Sequence, residues 1–570
     1  MRSRLLAIGA SLCVALAVGT VARLRPPSAV AARRVTPSGS LVGSIRGEPR
    51  SFNRYVARDL TTAVLTYLLH AGLVRVNHVT DQLEPEVAES WVLLSDQRTY
   101  RVRLRENVTF SDGVPLTAAD VVFSFKAIYD ERVESVLADS LLLQNRPLAV
   151  RAVDERTIDI RFPSKFAPGL RILDGVPILP SHKLAASLAA GQFRAAWGPA
   201  TAPAEIVGLG PFVLRQYQPG QFLKFDRNPR YWRRENGGPL PHLTELVLQI
   251  VRDQDAEALA LQTGDIDFTQ SELRPIDIAP LKSATADHHV TLDDLGIGVD
   301  GDLFWINLSA ARARDRRSRW LQHVDFRRAI AHAVDRTEFV NTVFLGAAVP
   351  GYGVVSPGNR EWYATSSGSE FDVAASRRLL ASLGFSERNG RLEDSSATSV
   401  QFTLVTQQGN TALERGAALI RDSLGRLGVR VDVVALETGA LVDRLMKGDY
   451  DAAYFRLVTT DTDPALNQDF WRSAGSAHVW NPSQPRPATA WERQIDALMD
   501  EVTVETEPSS RRKAFAQVQD IMAREVPALA FAFPRLVTAT SARLAGATPA
   551  PYRPPILWNP AVIGISRPIE

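Results

Sequence analysis

The chain has 570 residues, of which 45% are hydrophobic and 22% are charged. A chain of this length is too long for one hydrophobic core, and the composition is that of a soluble globular protein, so we expect at least two domains. The formal net charge is only +2. Because Lys and Arg do not collect into a basic stripe, the sequence argues against a nucleic-acid partner.

The N-terminus has the pattern of a secretory signal peptide. Arg2 and Arg4 precede an apolar run over residues 5–22, and Ala29-Val30-Ala31 supplies small residues for cleavage. We therefore predict a signal peptide over residues 1–31 and a periplasmic protein. The alternative is an uncleaved N-terminal membrane anchor, since the 18 apolar residues of this run are at the lower limit for a spanning helix. The single cysteine, Cys13, lies inside the run, so the mature protein would have no disulfide.

The first predicted elements are strands and one helix. A first strand is predicted to begin at residues 41–45. Alternating polar and apolar residues predict three more strands, at 100–104, 157–162 and 222–225. Ala118 to Tyr129 is predicted to be a helix, with Thr117 as its N-cap.

One local pattern occurs twice. At residues 255–268 and again at 439–452, a predicted helix ends at a glycine, Gly264 or Gly448, and an Asp-x-Asp sequence follows. Glycine is the expected stop because it tolerates a left-handed backbone. A predicted strand at 429–434 precedes the second copy, and such strand–helix–strand units build α/β domains. Two separated copies therefore indicate two α/β lobes of related design.

The C-terminal half is rich in predicted helices. They are expected at 325–341, 373–383, 412–427, 490–502 and 511–525. No long low-complexity linker divides the chain, so we expect interleaved domains.

The motifs of common enzymes are absent from the sequence. It contains no G-x-S-x-G, no H-E-x-x-H and no phosphate loop. The pairs Asp265/Asp267 and Asp449/Asp451 suggest glycosidase carboxylates, so a hydrolase is the alternative. Their position at helix-to-strand turns, and their duplication, favour a structural role instead. We expect no enzyme.

The histidines do not predict a metal site. Among nine, the one closely spaced pair is His288-His289, and adjacent side chains on a helix or strand point apart. We expect no metal and no cofactor.

Five blocks of sequence carry a family resemblance. The most specific is F-x-D-G-x-P-x-T-A-x-D-V-x-F-S at residues 110–124, where Asp112-Gly113 makes a turn and Pro115 restrains the loop. In chain order, the first block is L-E-P-E-V-A-E-S-W at 83–91 together with the sequence just given. The second is G-L-G-P-F at 208–212 with R-N-P-R-Y-W at 227–232, and the third is D-F-R-R-A-I-A-H-A-V-D-R at 325–336. The fourth is Phe371-Asp372 with L-G-F at 383–385, and the fifth is G-D-Y-D at 448–451 with Asp463-Pro464. Together they resemble the extracellular solute-binding proteins of ABC transporters, family 5, of the oligopeptide/dipeptide-binding type.

The resemblance implies an α/β fold of the periplasmic-binding-protein type II-like class, with two lobes, a hinge and an extra inserted domain. On this chain it implies the following division: lobe I at 41–70, 201–300 and 531–570, the inserted domain at 71–200, and lobe II at 301–530. The ligand would lie in the cleft between the lobes and be buried by hinge closure.

The resemblance also implies a peptide or peptide-like ligand that pairs with main-chain groups, as an added strand does. The pairing segments would be 57–61 and 456–458. In peptide-binding members an Asp four residues before the proline of the last block pairs with the ligand's amino group; that position here is Thr460, and Asp461 is next. The expected ligand contacts are Arg58, Asp59, Leu60, Arg456, Leu457, Val458, Thr460, Asp461 and Trp471.

Three of these contacts have a second interpretation. Asp461 serves the ligand only if the loop shifts by one residue; otherwise it caps the loop. Arg456 meets a ligand carboxylate or lines a solvated rim. Trp471 contacts ligand side chains or packs in the core.

The expected partners follow from the resemblance. They are the peptide-like solute and the membrane permease and ATPase of an ABC importer, with the binding protein itself a monomer. The same scaffold also binds oligosaccharides, opines and metal complexes in other family members, and these are the alternative ligands.

Overall fold

The structure is a computed structural model that describes residues 35–36, 39–286, 290–315, 319–365, 368–459 and 461–566. The predicted signal peptide, Cys13 and His288-His289 lie outside these residues. The helices are Leu60–Leu69, Ala118–Tyr129, Ser181–Ala189, Gln254–Thr263, Pro275–Ala286, Ala310–Arg314, Val324–Ala333, Arg336–Val343, Val373–Ser382, Thr411–Gly425, Thr438–Lys447, Gln468–Trp471, Ala490–Val504 and Pro508–Glu525.

Lobe I is built on an eight-stranded mixed sheet. Its strands, in spatial order, are Phe212–Gln218, Phe222–Arg227, Glu245–Ile250, Ser40–Ile45, Phe268–Thr269, Ala532–Ser541 and Val290–Ile297, with Ala348–Pro350 also paired to Ala532–Ser541. The strand Ser40–Ile45 is parallel to both of its neighbours. Leu41 and Ile45 are buried, as the alternating pattern of this strand predicts.

The inserted domain has a four-stranded antiparallel sheet. Its strands, in spatial order, are Ala88–Leu93, Thr99–Leu104, Thr157–Arg161 and Ala149–Ala152. One continuous cluster of buried apolar side chains runs from this sheet into lobe I, since Val102 and Ile160 belong to the same core as Leu41 and Leu248. The inserted domain therefore packs on lobe I rather than forming a separate core.

Lobe II is built on a five-stranded sheet. Its strands, in spatial order, are Arg430–Leu436, Gln401–Gln407, Ala452–Arg456, Asp302–Ile306 and Ala528–Ala530. Two separate cores cover its two faces, one around Phe304 and Tyr454 and the other around Trp305 and Phe455. These are neighbours along their strands, so they point to opposite faces.

The chain crosses between the two large sheets through short segments. Residues 298–301 join the strand Val290–Ile297 of lobe I to the strand Asp302–Ile306 of lobe II, and Phe531 separates Ala528–Ala530 from Ala532–Ser541. Phe531 is fully buried. Two short crossovers between lobes are the usual architecture of a hinge.

Five small sheets complete the secondary structure of the described residues. Their strands are Val35–Thr36 with Gly564–Ser566 and Leu544–Ala545, Val74–Val76 with Leu83–Pro85, Leu142–Leu143 with Arg146–Pro147, Arg234–Glu235 with Gly238–Pro239, and Ser386–Arg388 with Arg391–Glu393. Within the described ranges, no helix combines the length and the apolar character needed to cross a bilayer.

Most predicted elements are present, with one correction. The helix Ala118–Tyr129 begins after Thr117, whose N–H donates to the Asp120 carboxylate at 2.9 Å. The single helix predicted at 325–341 is wrong. The chain forms two helices there, because the Asp335 side chain accepts from the N–H groups of Thr337 and Glu338 and so begins a second helix.

The repeated helix–glycine–Asp-x-Asp pattern is confirmed, one copy in each large sheet. Gly264 and Gly448 end their helices with φ of 81° and 68°. Asp267 accepts from the N–H of Val42, and Asp451 accepts from the N–H of Thr403, each at 2.9 Å and each in the adjacent parallel strand. These carboxylates therefore join neighbouring strands. This structural role accounts for the second aspartate of each pair, Asp267 and Asp451.

Candidate ligand-binding cleft

Two strand ends, one from each lobe, define the candidate cleft. The strands Phe268–Thr269 of lobe I and Ala452–Arg456 of lobe II each run parallel to a neighbour in their sheet. In α/β sheets, ligands bind outside the carboxyl ends of such strands. The segments that follow them, 270–274 and 457–463, are the candidate ligand-facing segments.

Arg456 joins the two lobes at the floor of this cleft. Its Nη1 donates to Glu272 Oε2 of lobe I at 3.0 Å, and its Nε donates to Asp302 Oδ1 at 2.8 Å. Arg553 Nη2 donates to the other oxygen of Glu272 at 2.7 Å. Burial by itself would raise the pKa of Glu272, but Arg456 and Arg553 hold that pKa below its usual value. Arg456 is thus mostly occupied by carboxylates of the protein itself.

Asp300 lies beside this cluster, in the crossover between the lobes. Its Oδ1 accepts from the N–H of Thr459 at 3.0 Å and from the Thr459 hydroxyl at 2.9 Å. Its Oδ2 accepts no hydrogen bond from the described part of the chain. Burial raises the pKa of Asp300, and the bonds from Thr459 and the charges of Arg553 and Arg456 oppose that rise.

Arg171 connects the inserted domain to the loop after the lobe II strand. It lies in the 3-10 helix Gly169–Leu173. Its Nε donates to both carboxylate oxygens of Asp461 at 2.9 Å, its Nη1 donates to the Asp81 carbonyl at 2.7 Å, and its Nη2 donates to the Thr462 hydroxyl at 3.1 Å. A single guanidinium therefore holds both sides of this boundary together.

The carboxylate of Asp461 is engaged by the protein. Burial raises its pKa to about 6, although the charge of Arg171 and the N–H of Asp463 oppose the rise. The side chain of Asp461 is only 11% exposed. The structure places it in an ion pair between domains, which matches neither an open amine site nor a simple loop cap.

Asp463 is also engaged. It accepts from the N–H of Ala465 at 3.0 Å, and Arg511 Nη2 donates to both of its oxygens at 2.8 and 2.9 Å. Asp463 thus caps the turn at Pro464 and anchors it to the helix Pro508–Glu525.

The lobe I residues expected to contact the ligand begin the helix Leu60–Leu69. Asp59 is its N-cap, with Oδ1 accepting from the N–H of Thr62 at 2.8 Å. Arg58 is exposed, and Leu60 is 69% exposed. Asp59 therefore has a local structural role, and Arg58 and Leu60 remain accessible.

The lobe II residues Leu457 and Val458 are placed as an open segment. They follow the last ladder position of the strand, Arg456, and belong to no helix or strand. Val458 is 52% exposed. Neither residue's main chain forms a hydrogen bond to the described part of the protein.

Trp471 is a core residue. It is 6% exposed, and its ring lies 4.6 Å from that of Phe470 and 5.1 Å from that of Phe515, both edge to face. Such packing stabilises the fold. Of the two interpretations given by the sequence, the structure supports core packing for Trp471.

Two points from the sequence analysis remain, namely the position of Thr460 and the possibility of a metal site. Thr460 lies outside the described residues. Within those residues, no group of three or more His, Cys, Asp or Glu side chains is arranged to hold a metal ion.

Sequence reasoning missed several residues of the cleft. Glu272, Asp300, Asp302 and Arg553 form its charged floor, and Arg171 forms its interdomain ion pair. No local motif marks them, because each meets its partner only through the tertiary fold.

Comparison with known proteins places these features in a family. The model of the bacterial extracellular solute-binding proteins, family 5 (middle region), matches residues 82–478. The probable D,D-dipeptide-binding periplasmic protein DdpA of Escherichia coli K12 is 25% identical over 501 residues, which cover 86% of this chain and 88% of DdpA.

Solved structures share the fold. One is the oligopeptide-binding protein AppA of Bacillus subtilis, solved in complex with a nonapeptide, which has a TM-score of 0.72 at 23% identity. The match covers 94% of this chain and 100% of the AppA chain. The periplasmic binding protein MelB of Agrobacterium fabrum C58, in complex with stachyose, has a TM-score of 0.74 at 18% identity, with 93% of this chain and 85% of its own covered. The predicted two-lobed α/β fold is confirmed.

Proposed function

This chain belongs to the bacterial extracellular solute-binding proteins of family 5, the binding components of ABC importers, and from that premise we propose that its solute is a peptide. The peptide enters the cleft between the lobes and lies along 457–458 of lobe II and 57–61 of lobe I. Closure of the lobes buries it for delivery to a membrane permease.

The observation that carries this proposal is the free main chain at Leu457 and Val458. Their N–H and C=O groups form no hydrogen bond to the described residues, and Val458 is half exposed. A strand end that stops pairing while it faces a cleft is a template for an added strand. A peptide, which carries a regular series of main-chain donors and acceptors, matches it.

The relatives lend support to a peptide ligand. DdpA is named as a probable D,D-dipeptide-binding protein, and AppA was solved with a nonapeptide. The solved structures of AppA, at 23% identity, and of MelB with stachyose, at 18% identity, both share the fold of this chain. A sugar therefore remains the comparison ligand in the experiments below.

The remaining parts of the proposal concern location and partners. The protein is exported by cleavage after residue 31, works in the periplasm as a monomer, and docks on the permease and ATPase of its importer. N-terminal sequencing of the mature protein tests the cleavage. A mature chain that begins with Met1 or the residues next to it would support the uncleaved anchor instead.

Thermal unfolding with added ligands tests the choice of solute. Di- to penta-alanine peptides are expected to raise the melting temperature in a concentration-dependent way, because a ligand that binds only the folded state stabilises it. Stachyose at the same concentration should have no effect. A shift with stachyose and none with any peptide would reject the proposal.

A matched pair of variants locates the binding site. Val458→Trp fills the proposed path of the peptide and should abolish the shift. Val442→Trp introduces the same bulk at a valine that is 49% exposed on the helix Thr438–Lys447 and should leave the shift unchanged. Equal effects of the two substitutions would move the site elsewhere.

A further inference from the structure

One face of the inserted-domain sheet carries an ordered group of arginines. Asp159, in the strand Thr157–Arg161, lies directly between Arg101 and Arg151 of the two neighbouring strands. Arg101 donates to Asp159 from Nε at 2.8 Å and from Nη2 at 3.1 Å, and Arg151 Nη2 donates to Asp159 Oδ2. The Asp159 side chain is only 3% exposed, so both guanidiniums are anchored on one buried carboxylate.

Asp159 keeps its charge at neutral pH. The hydrogen bond from Arg101 holds the pKa of Asp159 below its ordinary value, although burial opposes this shift. The ionised carboxylate fixes the two guanidiniums through charge-assisted hydrogen bonds. Within the described ranges, Arg101 Nη1 and Arg151 Nη1 have no acceptor. These groups therefore remain available to a ligand.

Arg161 adds a third guanidinium on the same face. It follows Asp159 by two positions, and the strand period places both residues on one side of the sheet. The residues opposite Arg161 in the two neighbouring strands are Thr99 and Ala149, whose small side chains leave space around it. Arg161 is exposed, and no other described residue forms a hydrogen bond or an ion pair with its side chain.

A cavity of about 440 Å³ lies at this group of arginines. The charged residues that line it are Arg101, Arg151, Arg161, Asp96 and Asp159. Asp96 is engaged by Thr99, whose N–H and hydroxyl donate to it at 2.9 and 2.6 Å. The wall thus has one positive charge in excess, and both of its carboxylates are already bound by the protein.

We propose that this cavity binds a phosphate group, carried by a small phosphate ester or by the head group of an anionic phospholipid. Guanidinium groups match phosphate oxygens through paired hydrogen bonds. A phosphate ester offers three such oxygens to the three arginines, whereas a carboxylate offers two. The inference goes beyond the proposed function, because no lining residue of this cavity belongs to the ligand-facing segments 270–274 and 457–463.

Isothermal titration with glycerol 3-phosphate at low salt tests the site. The unaltered protein should bind this ester, and it should bind acetate at least about fivefold more weakly. Arg161→Gln should weaken binding of the ester about fivefold or more, the loss expected for a charge-assisted hydrogen bond at an exposed position.

Arg430→Gln is the matched control for Arg161→Gln. Arg430 is 69% exposed on the lobe II strand Arg430–Leu436, so its replacement removes the same charge far from the cavity. Binding of glycerol 3-phosphate should be unchanged in this variant. Both positions are exposed, and melting temperatures close to that of the unaltered protein should show that both variants fold.

Lipid vesicles distinguish the two sources of the phosphate group. If the ligand is a lipid head group, the unaltered protein should sediment with vesicles of phosphatidylglycerol and phosphatidylcholine, and Arg161→Gln should not. If the ligand is a soluble ester, the protein should stay in the supernatant, and the titration alone should depend on Arg161. Either result supports the cavity as a phosphate site.

Three results would count against the proposal. Equal effects of Arg161→Gln and Arg430→Gln would mean that net charge alone attracts anions, and would overturn the site. Binding of neither glycerol 3-phosphate nor anionic vesicles would overturn it as well. Acetate that binds as tightly as the ester would reject the assignment to phosphate. None of these results would affect peptide binding in the cleft, which the melting experiments with peptides test separately.

Discussion

Arg171 Nε lies 2.9 Å from both carboxylate oxygens of Asp461, although the two residues are 290 positions apart in the chain. One belongs to the inserted domain and the other to the loop after a lobe II strand. Both side chains are largely buried, with 14% and 11% exposed. The pair therefore fixes the loop beside the cleft. It also engages the carboxylate of Asp461, which the sequence analysis expected to contact the ligand.

Removal of Arg171 should destabilise the protein. Arg171→Met leaves Asp461 buried without its partner, and we expect the free energy of unfolding to fall by about 2 kcal/mol. Arg512→Met is the control, since its ion pair with Glu361 is exposed on both sides, and it should change the free energy by less than about 0.5 kcal/mol. Urea unfolding measures both. Equal effects would mean that the Arg171 pair contributes no more than a surface pair.

Glu86 should make stability depend on pH. Burial raises its pKa to about 7 in the folded protein, above the ordinary value of 4.5. Between these values the folded protein holds a proton that the unfolded chain has lost, so this group makes stability fall as the pH rises through that window.

The variant Glu86→Gln removes this titration. Its free energy of unfolding, relative to the unaltered protein, should increase by about 1–2 kcal/mol between pH 4.5 and pH 7.5. Urea unfolding across that range measures the difference. A difference that stays constant with pH would show that Glu86 does not carry the raised pKa.

Alanine substitutions at Trp471 and Leu60 should distinguish a core residue from a surface residue by their effects on the free energy of unfolding. Trp471→Ala empties part of the lobe II core and should cost about 3–5 kcal/mol of unfolding free energy. Leu60→Ala changes a side chain that is 69% exposed and should cost less than about 0.5 kcal/mol. Denaturant melts of the two variants decide this. A small loss for Trp471→Ala would instead favour the exposed aromatic contact that the sequence allowed.

Gly264, which follows a helix in a left-handed conformation, should respond differently from Gly425, the last residue of another helix. Gly264→Ala places a side chain at φ 81°, where nothing crowds the new Cβ, so the cost of about 1 kcal/mol comes from the backbone alone. Gly425→Ala lies within the helix Thr411–Gly425, also without crowding, and should stabilise by up to about 1 kcal/mol. Thermal melts measure both. Destabilisation by both substitutions would contradict the conformational argument.

Local features of the fold were predictable from the sequence. Thr117 and Asp120 lie three positions apart and form the start of their helix within one turn. The stops at Gly264 and Gly448 follow from the left-handed conformation that glycine tolerates. The break at Asp335 was missed because the apolar period continues across it, and the cap that starts the second helix decides the outcome.

The site was much less predictable. Val458, which the family resemblance expects to contact the ligand, is 52% exposed. The partners of Arg456, by contrast, come from positions 272 and 302, and Asp300 meets Thr459 across 159 positions. No periodicity or spacing in the sequence predicts such contacts, because they depend on how the two lobes meet.

Native mass spectrometry of the purified protein tests the central claim most directly. A cleft that captures peptides should retain them through purification, and the complex should release a set of masses that fragment as peptides. The Val458→Trp variant, prepared in parallel, should carry none. Release of an oligosaccharide, an opine or a metal complex from the unaltered protein, with no peptide, would contradict the account.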